Sequence, residues 1–183
     1  MRQLYVERLS EVTDEEADAG EDDGLEGNQQ YQDLRSIGWD LVAEALIREK
    51  ALFKRFAAAA DIDAEAERYL EEIEMATFPD EDFWGLDIGV ISAVMALSAL
   101  GAVTVSSCNA GGFGGHHVEH FPLVAMFLPR ALADEVFEVA EAADVGLDMT
   151  EGGLVRLYGR TDFDLHRFGE VALVRHQAQG ARR

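Results

Sequence analysis

Between Ser106 and His120 the chain gathers its one cysteine, three of its five histidines and a run of glycines: Ser-Ser-Cys-Asn-Ala-Gly-Gly-Phe-Gly-Gly-His-His-Val-Glu-His. Three chemistries are open to such a set. In the first, Cys108 as thiolate with His116, His117 or His120 offers ligands that Zn²⁺ accepts, and Glu119 adds an oxygen ligand or a base. Geometry restricts that set. On a helical turn His116 and His120 share a face, whereas an extended backbone at about 3.3 Å per residue holds them roughly 13 Å apart. The spacing lacks the His-Glu-x-x-His order of a zincin, and a single cysteine makes no Cys-x-x-Cys pair.

In the second chemistry Cys108 or Ser107, presented at the end of a strand, acts as nucleophile with a loop histidine as base. Glycine amides or Asn109 would then face a developing oxyanion, although no Gly-x-Ser-x-Gly elbow is present. In the third, the backbone amides of Gly111, Gly112, Gly114 and Gly115 cradle an anion. No lysine or arginine occurs between Arg68 and Arg130, and neither the phosphate-loop nor the dinucleotide glycine spacing is matched. Ser106, Ser107, Asn109 and these glycines form the candidate ligand-binding set, and Cys108, His116, His117, Glu119 and His120 the candidate metal set. A structural role competes with all three chemistries. Cysteine is often a small buried hydrophobe, glycine permits unusual backbone angles, and histidine can bond to a loop.

The elements that must position this stretch follow from periodicity. Trp39, Val42, Leu46, Phe53 and Phe56 recur at three, four and seven, which predicts a helix over residues 37–60. A second helix follows from the capping residues Asp61 and Asp63 and is closed by Pro79, with Ile62, Tyr69, Leu70 and Ile73 on its apolar face. Residues 88–100 are apolar on nearly every side between a capping Asp87 and a terminating Gly101, the pattern of a buried helix that packs centrally. A β-branched strand is predicted over 102–107 and an internal strand over 121–128. Pro129 then opens an amphipathic helix through Asp144. A hairpin over 145–158 turns at Glu151-Gly-Gly153, and a last helix covers 164–176. The result is an α+β, two-layer domain: a helical N-terminal half, then α-β-loop-β-α-β-β-α.

Composition bounds what such a domain does. Acidic residues number 36 against 15 basic ones, for a net charge of -21. That charge repels phosphate backbones and anionic lipid, so no nucleic acid and no membrane is expected as partner; a basic protein or a small-molecule ligand stays open. Residues 1–33, with acids from Glu11 to Glu26 and few large apolar side chains, are expected to be a largely disordered segment before a single domain over 34–176, with 177–183 a frayed tail. One cysteine allows no disulfide within the chain, and the N-terminus lacks the apolar stretch of a signal peptide. A cytoplasmic location is therefore expected.

The block running from Asp87-Ile-Gly-Val-Ile-Ser-Ala-Val to Ser106 through His120 and on into Phe121-Pro-Leu-Val resembles a group of uncharacterised bacterial proteins, which implies no activity. Ser106-Ser107-Cys108 is also similar to the Ser-Ser-Cys-Ser-Gly-Arg motif of the wybutosine-synthesis methyltransferase family, which acts on tRNA with S-adenosylmethionine. Here Asn109-Ala110-Gly111 stands in place of Ser-Gly-Arg, and the net charge opposes tRNA, so that activity is not carried over. The expectation is a ligand site in the loop from Ser106 to His120, with Zn²⁺ its most specific occupant. The alternative is a non-enzymatic acidic interaction module of the inhibitor or immunity type.

Overall fold

The computed structural model describes residues 34–35, 37–74, 86–114, 119–150 and 153–181. The acidic segment before residue 34 lies outside them. In chain order the elements are α1 (Trp39–Ala57), α2 (Ile62–Glu74), α3 (Ile91–Leu100), β1 (Val103–Cys108), β2 (Leu123–Phe127), α4 (Ala133–Ala143), β3 (Gly146–Met149), β4 (Val155–Tyr158) and α5 (Asp164–Gly180). The strands form one antiparallel sheet in the order β1-β2-β4-β3. The protein is α+β, as its hydropathy pattern predicts.

Alternation along the strands separates two faces. Val124 and Met126 of β2, Leu147 of β3, and Val155 and Leu157 of β4 join the main core with the apolar sides of α1, α3, α4 and α5. The intervening residues Leu123 and Ala125 pair with Tyr158 and Arg156, which pair in turn with Gly146 and Asp148, and these turn to the opposite face. Helices thus cover the back of the sheet. No helix among the described residues is long and apolar enough to cross a membrane.

Within the helical layer α3 lies at the centre, touching both α1 and α5, and Ile91 through Ser98 are all buried. Its C-terminus is closed by Gly101 at φ 103, whose amide donates to the carbonyls of Leu97 and Ser98, a left-handed position that suits glycine. Asp61 caps α2, its Oδ1 accepting from the Ala64 amide at 3.1 Å. The N-terminus of α3 is different. Asp87 is not its cap: the residue preceding the helix is Val90, which has no capping side chain, and the Asp87 carboxylate accepts from the Asn109 amide instead.

The amides that Asp87 leaves open are satisfied from another helix. Glu49, buried within α1, points its carboxylate at them: Oε1 accepts from Gly89 N at 2.9 Å and Ile91 N at 3.1 Å, and Oε2 from Ser92 N at 3.3 Å. Oε2 also accepts from the Ser92 hydroxyl and meets His166 Nδ1, on α5, at 2.9 Å. A carboxylate at the positive end of a buried helix is favoured both by the dipole and by the amides it pairs. Glu49 therefore ties three helices at one point. Gly169 makes the approach of α5 possible, since a Cβ there would meet the Cβ and carbonyl oxygen of Ser92 at 2.9 Å.

The far end of the layer is held by Trp39 stacked on His176, ring centroids 4.3 Å apart. This contact accompanies the extension of α5 beyond the expected end at residue 176, to Gly180. The network at Glu49 yields a graded expectation. Glu49→Ala orphans the buried donors and should lower unfolding free energy by about 3–5 kcal/mol, the usual cost of removing one partner of a buried charged pair. Ser92→Ala removes the hydroxyl's bond to the Glu49 carboxylate and its contact with His166 Nδ1 but leaves the amides paired, and should cost about 1.5–3 kcal/mol. Urea unfolding of both variants checks the order; a Glu49→Ala loss no greater than that of Ser92→Ala contradicts it.

Candidate functional site

The stretch that carries the chemically versatile residues splits in two. Ser106 and Ser107 lie within β1, paired with Ala125 and Val124 of β2, and Cys108 pairs with Leu123. Beyond Cys108 the backbone folds toward the helical layer. Asn109, only 1% exposed, accepts from Gly111 N at 3.2 Å through its side-chain carbonyl and donates its amide to the carbonyls of Ile88 at 3.2 Å and Gly112 at 2.5 Å. These bonds occupy both ends of the side chain in holding the turn. Ala110, Gly111 and Phe113 all take positive φ, and the Phe113 ring stacks against Phe53 and Phe56 with centroids 5.5 and 5.4 Å away. Gly112 abuts Asp162, whose carboxyl a Cβ there would meet at 2.9 Å. Gly114 ends the short 3₁₀ turn that begins at Gly112.

Cys108 is buried, and its sulfur accepts from the Ala110 amide at 3.2 Å. Burial pushes the thiol pKa up, and the carboxylates of Asp87 and Glu119 add to the shift, so the thiolate that a metal or a nucleophilic role requires is disfavoured. Gly115, His116 and His117 lie outside the described residues. Among the described residues no group of three or more His, Cys, Asp or Glu is placed to hold a metal ion.

The end of the stretch, Glu119 and His120, lies at the other face of the sheet. Glu119, His120 and Phe121 meet Leu123, Asp148, Arg156 and Tyr158 around a recess of about 310 Å³. Arg156 forms a two-pronged pair with Asp148 across the hairpin, Nε to Oδ1 and Nη2 to Oδ2 both at 2.7 Å, which raises the guanidinium pKa further. Tyr158 lies across Gly146 so closely that any side chain there would overlap its ring. Phe121 stands beside it, centroids 6.3 Å apart and planes tilted by 38°, yet is 48% exposed. Two carboxylates, an imidazole, a guanidinium, a phenol and a phenyl ring therefore converge on one concavity.

Of the candidate residues, the structure brings Glu119 and His120 into this recess and directs Asn109, Gly111 and Gly112 away from it. Asp148, Arg156 and Tyr158 are site residues that motif reasoning misses. Their signal was the predicted hairpin, since strands turning about Glu151-Gly-Gly153 set residues 148 and 156 opposite each other.

Ser92, Glu49 and His166 are also missed, and they are residue types of a hydrolytic triad. Their connectivity differs from one. In a triad the acid binds one imidazole nitrogen and the serine the other; here Ser92 Oγ and Glu49 Oε2 both meet Nδ1, at 3.1 and 2.9 Å. His166 Nε2 is buried, has no hydrogen-bond partner among the described residues, and faces Glu170 Oε1 at 3.6 Å. Ser92 and Glu49 are both 0% exposed. The cluster is a structural tie without access for a substrate.

Comparison of the chain with protein-family models, with curated proteins and with solved structures gave no match. Function therefore rests on the chemistry of the recess and of the Cys108 turn. For Cys108 the raised pKa and burial set a clear expectation. Iodoacetamide at neutral pH should label it at least about tenfold more slowly than a free thiol, whose pKa is about 8.5. Labelling as fast as free cysteine would show an accessible thiolate and contradict the burial.

Proposed function

We propose that this protein binds a small organic ligand, without established catalysis, in the recess on the open face of its sheet. The observation that carries this reading is the convergence of polar and aromatic side chains from three segments (residues 119–121, β3 and β4), with Leu123 of β2, on a single concavity of about 310 Å³. That volume lies at the lower end of the range for small-molecule sites, about 300–1,000 Å³. Its floor is rigid backbone. The strands beneath it are hydrogen-bonded to one another on all sides but the sheet edges, and the helical layer backs them, so the backbone that carries Leu123, Asp148, Arg156 and Tyr158 is set before a ligand arrives.

Glu119 and His120, which residue type alone suggested as metal ligands, become in this reading contacts to an organic ligand, with partners from the hairpin in place of Cys108. A Zn²⁺ site would need ligands beyond these two.

An NMR titration of the ¹⁵N-labelled protein with a mixed set of small aromatic acids, amines and alcohols tests the proposal. Saturable shifts at Leu123, Asp148, Arg156 and Tyr158 are expected, and Leu123→Trp, which fills the recess, should abolish them. Saturable shifts confined to the Asn109–Phe113 turn, or none anywhere, would overturn it.

A further inference from the structure

The charges around the recess select among ligands, and this selection rests on the recess being the binding site. Among the described residues Arg156 is the one guanidinium lining it, and the fork it would offer to a carboxylate or phosphate is already closed by Asp148. An incoming anion would have to displace Asp148 and would then leave that carboxylate unpaired beside it. Glu119 also lines it, is exposed, and forms no hydrogen bond or ion pair with a described residue. It is close enough to raise the Arg156 pKa by its charge. Two carboxylates thus face one guanidinium, within a protein of net charge -21.

The apolar part of the wall is aromatic. Phe121 and Tyr158 both line the recess, and the negative face of an aromatic ring attracts ammonium groups. A carboxylate without a hydrogen-bond partner among the described residues, on a recess lined by two aromatic rings, suits an organic ammonium: the charge meets Glu119, and the hydrocarbon body meets Phe121, Leu123 and Tyr158. Gly146 contributes indirectly, because a larger residue would lift the Tyr158 ring from the floor.

We infer that the ligand is a small organic cation, an amine carried on an aromatic or similarly flat apolar body, with Glu119 its counter-ion. The volume of about 310 Å³ suits a one-ring amine.

Benzylamine and benzoate, nearly equal in shape and opposite in charge, are the probes, each titrated by NMR at low ionic strength. Benzylamine should bind at least about tenfold more tightly than benzoate, with the preference shrinking as salt rises. Glu119→Gln, a change at an exposed side chain, should reduce that preference about fivefold or more. Asp148→Asn, which opens the Arg156 fork, should raise benzoate affinity to at least that of benzylamine. Benzoate binding the unaltered protein as tightly as benzylamine would overturn the inference, as would a preference unmoved by Glu119→Gln. N-acetyl-lysine methylamide separates the aromatic body from the charge: it should bind about tenfold more weakly than benzylamine, and equal affinity would remove the rings from recognition and overturn the stated class. Benzyl alcohol alone shifting Leu123 and Tyr158 would leave the recess as a site while refuting the cation; none of these probes shifting them would remove the site itself.

Discussion

A single buried carboxylate decides how the helical layer is assembled. α3 is apolar on every side and carries neither an acidic residue in its first turn nor a capping side chain before it, so its N-terminal amides enter the core with no local partner. Glu49 supplies that partner from α1 and is itself made tolerable in the interior by the amides, the Ser92 hydroxyl and His166. Each component alone would be costly to bury. Together they fix the rotation and height of α1, α3 and α5 relative to one another, because the bonds are directional where apolar packing is not.

That fixed layer determines which face of the sheet is left for function. Val124, Met126, Leu147, Val155 and Leu157 are committed to the back, and a strand that turns one residue in turns the next one out. Arg156, Asp148, Tyr158 and Leu123 consequently share the front with the residues that follow the Gly-rich turn. Phe113 contributes at the junction. Its ring, anchored among Phe53, Phe56 and Phe163, draws the chain after Cys108 toward the helices, while Glu119–Phe121 re-enter the sheet from the front. One stretch of sequence thus serves the core with its first half and the recess with its second.

Most of the architecture was legible because hydrophobic period and breakers act locally. The buried α3 with Gly101 behind it, the strands β1 and β2, the hairpin and the amphipathic α4 all follow from residues close in sequence. Glu49 was not legible. In the stripe of α1 it sits in the seven-residue interval between Leu46 and Phe53, where a charged residue passes for a gap in the pattern, and the amides that make it a core residue lie some forty positions away. Asp87 misled for the matching reason: it has the right type and place for a cap, but the Asn109 turn takes its carboxylate. The recess was half legible. Glu119 and His120 stood out by type, but clustering in sequence pointed them toward Cys108, whereas in the fold they line a recess with Asp148 and Arg156 of the hairpin. His116 and His117 lie outside the described residues, as does the acidic segment before residue 34.

Amide hydrogen exchange at Gly89, Ile91 and Ser92 tests the role of Glu49 most directly. These amides are at a helix start, where exchange is ordinarily fast, since the first turn has no intrahelical acceptors. If the Glu49 carboxylate binds them as the structure places it, they exchange only through global unfolding, with the same protection as the centre of α3. Exchange at the rates of frayed helix ends, while Met95 and Leu97 stay protected, would show that the helical layer is held without this tie.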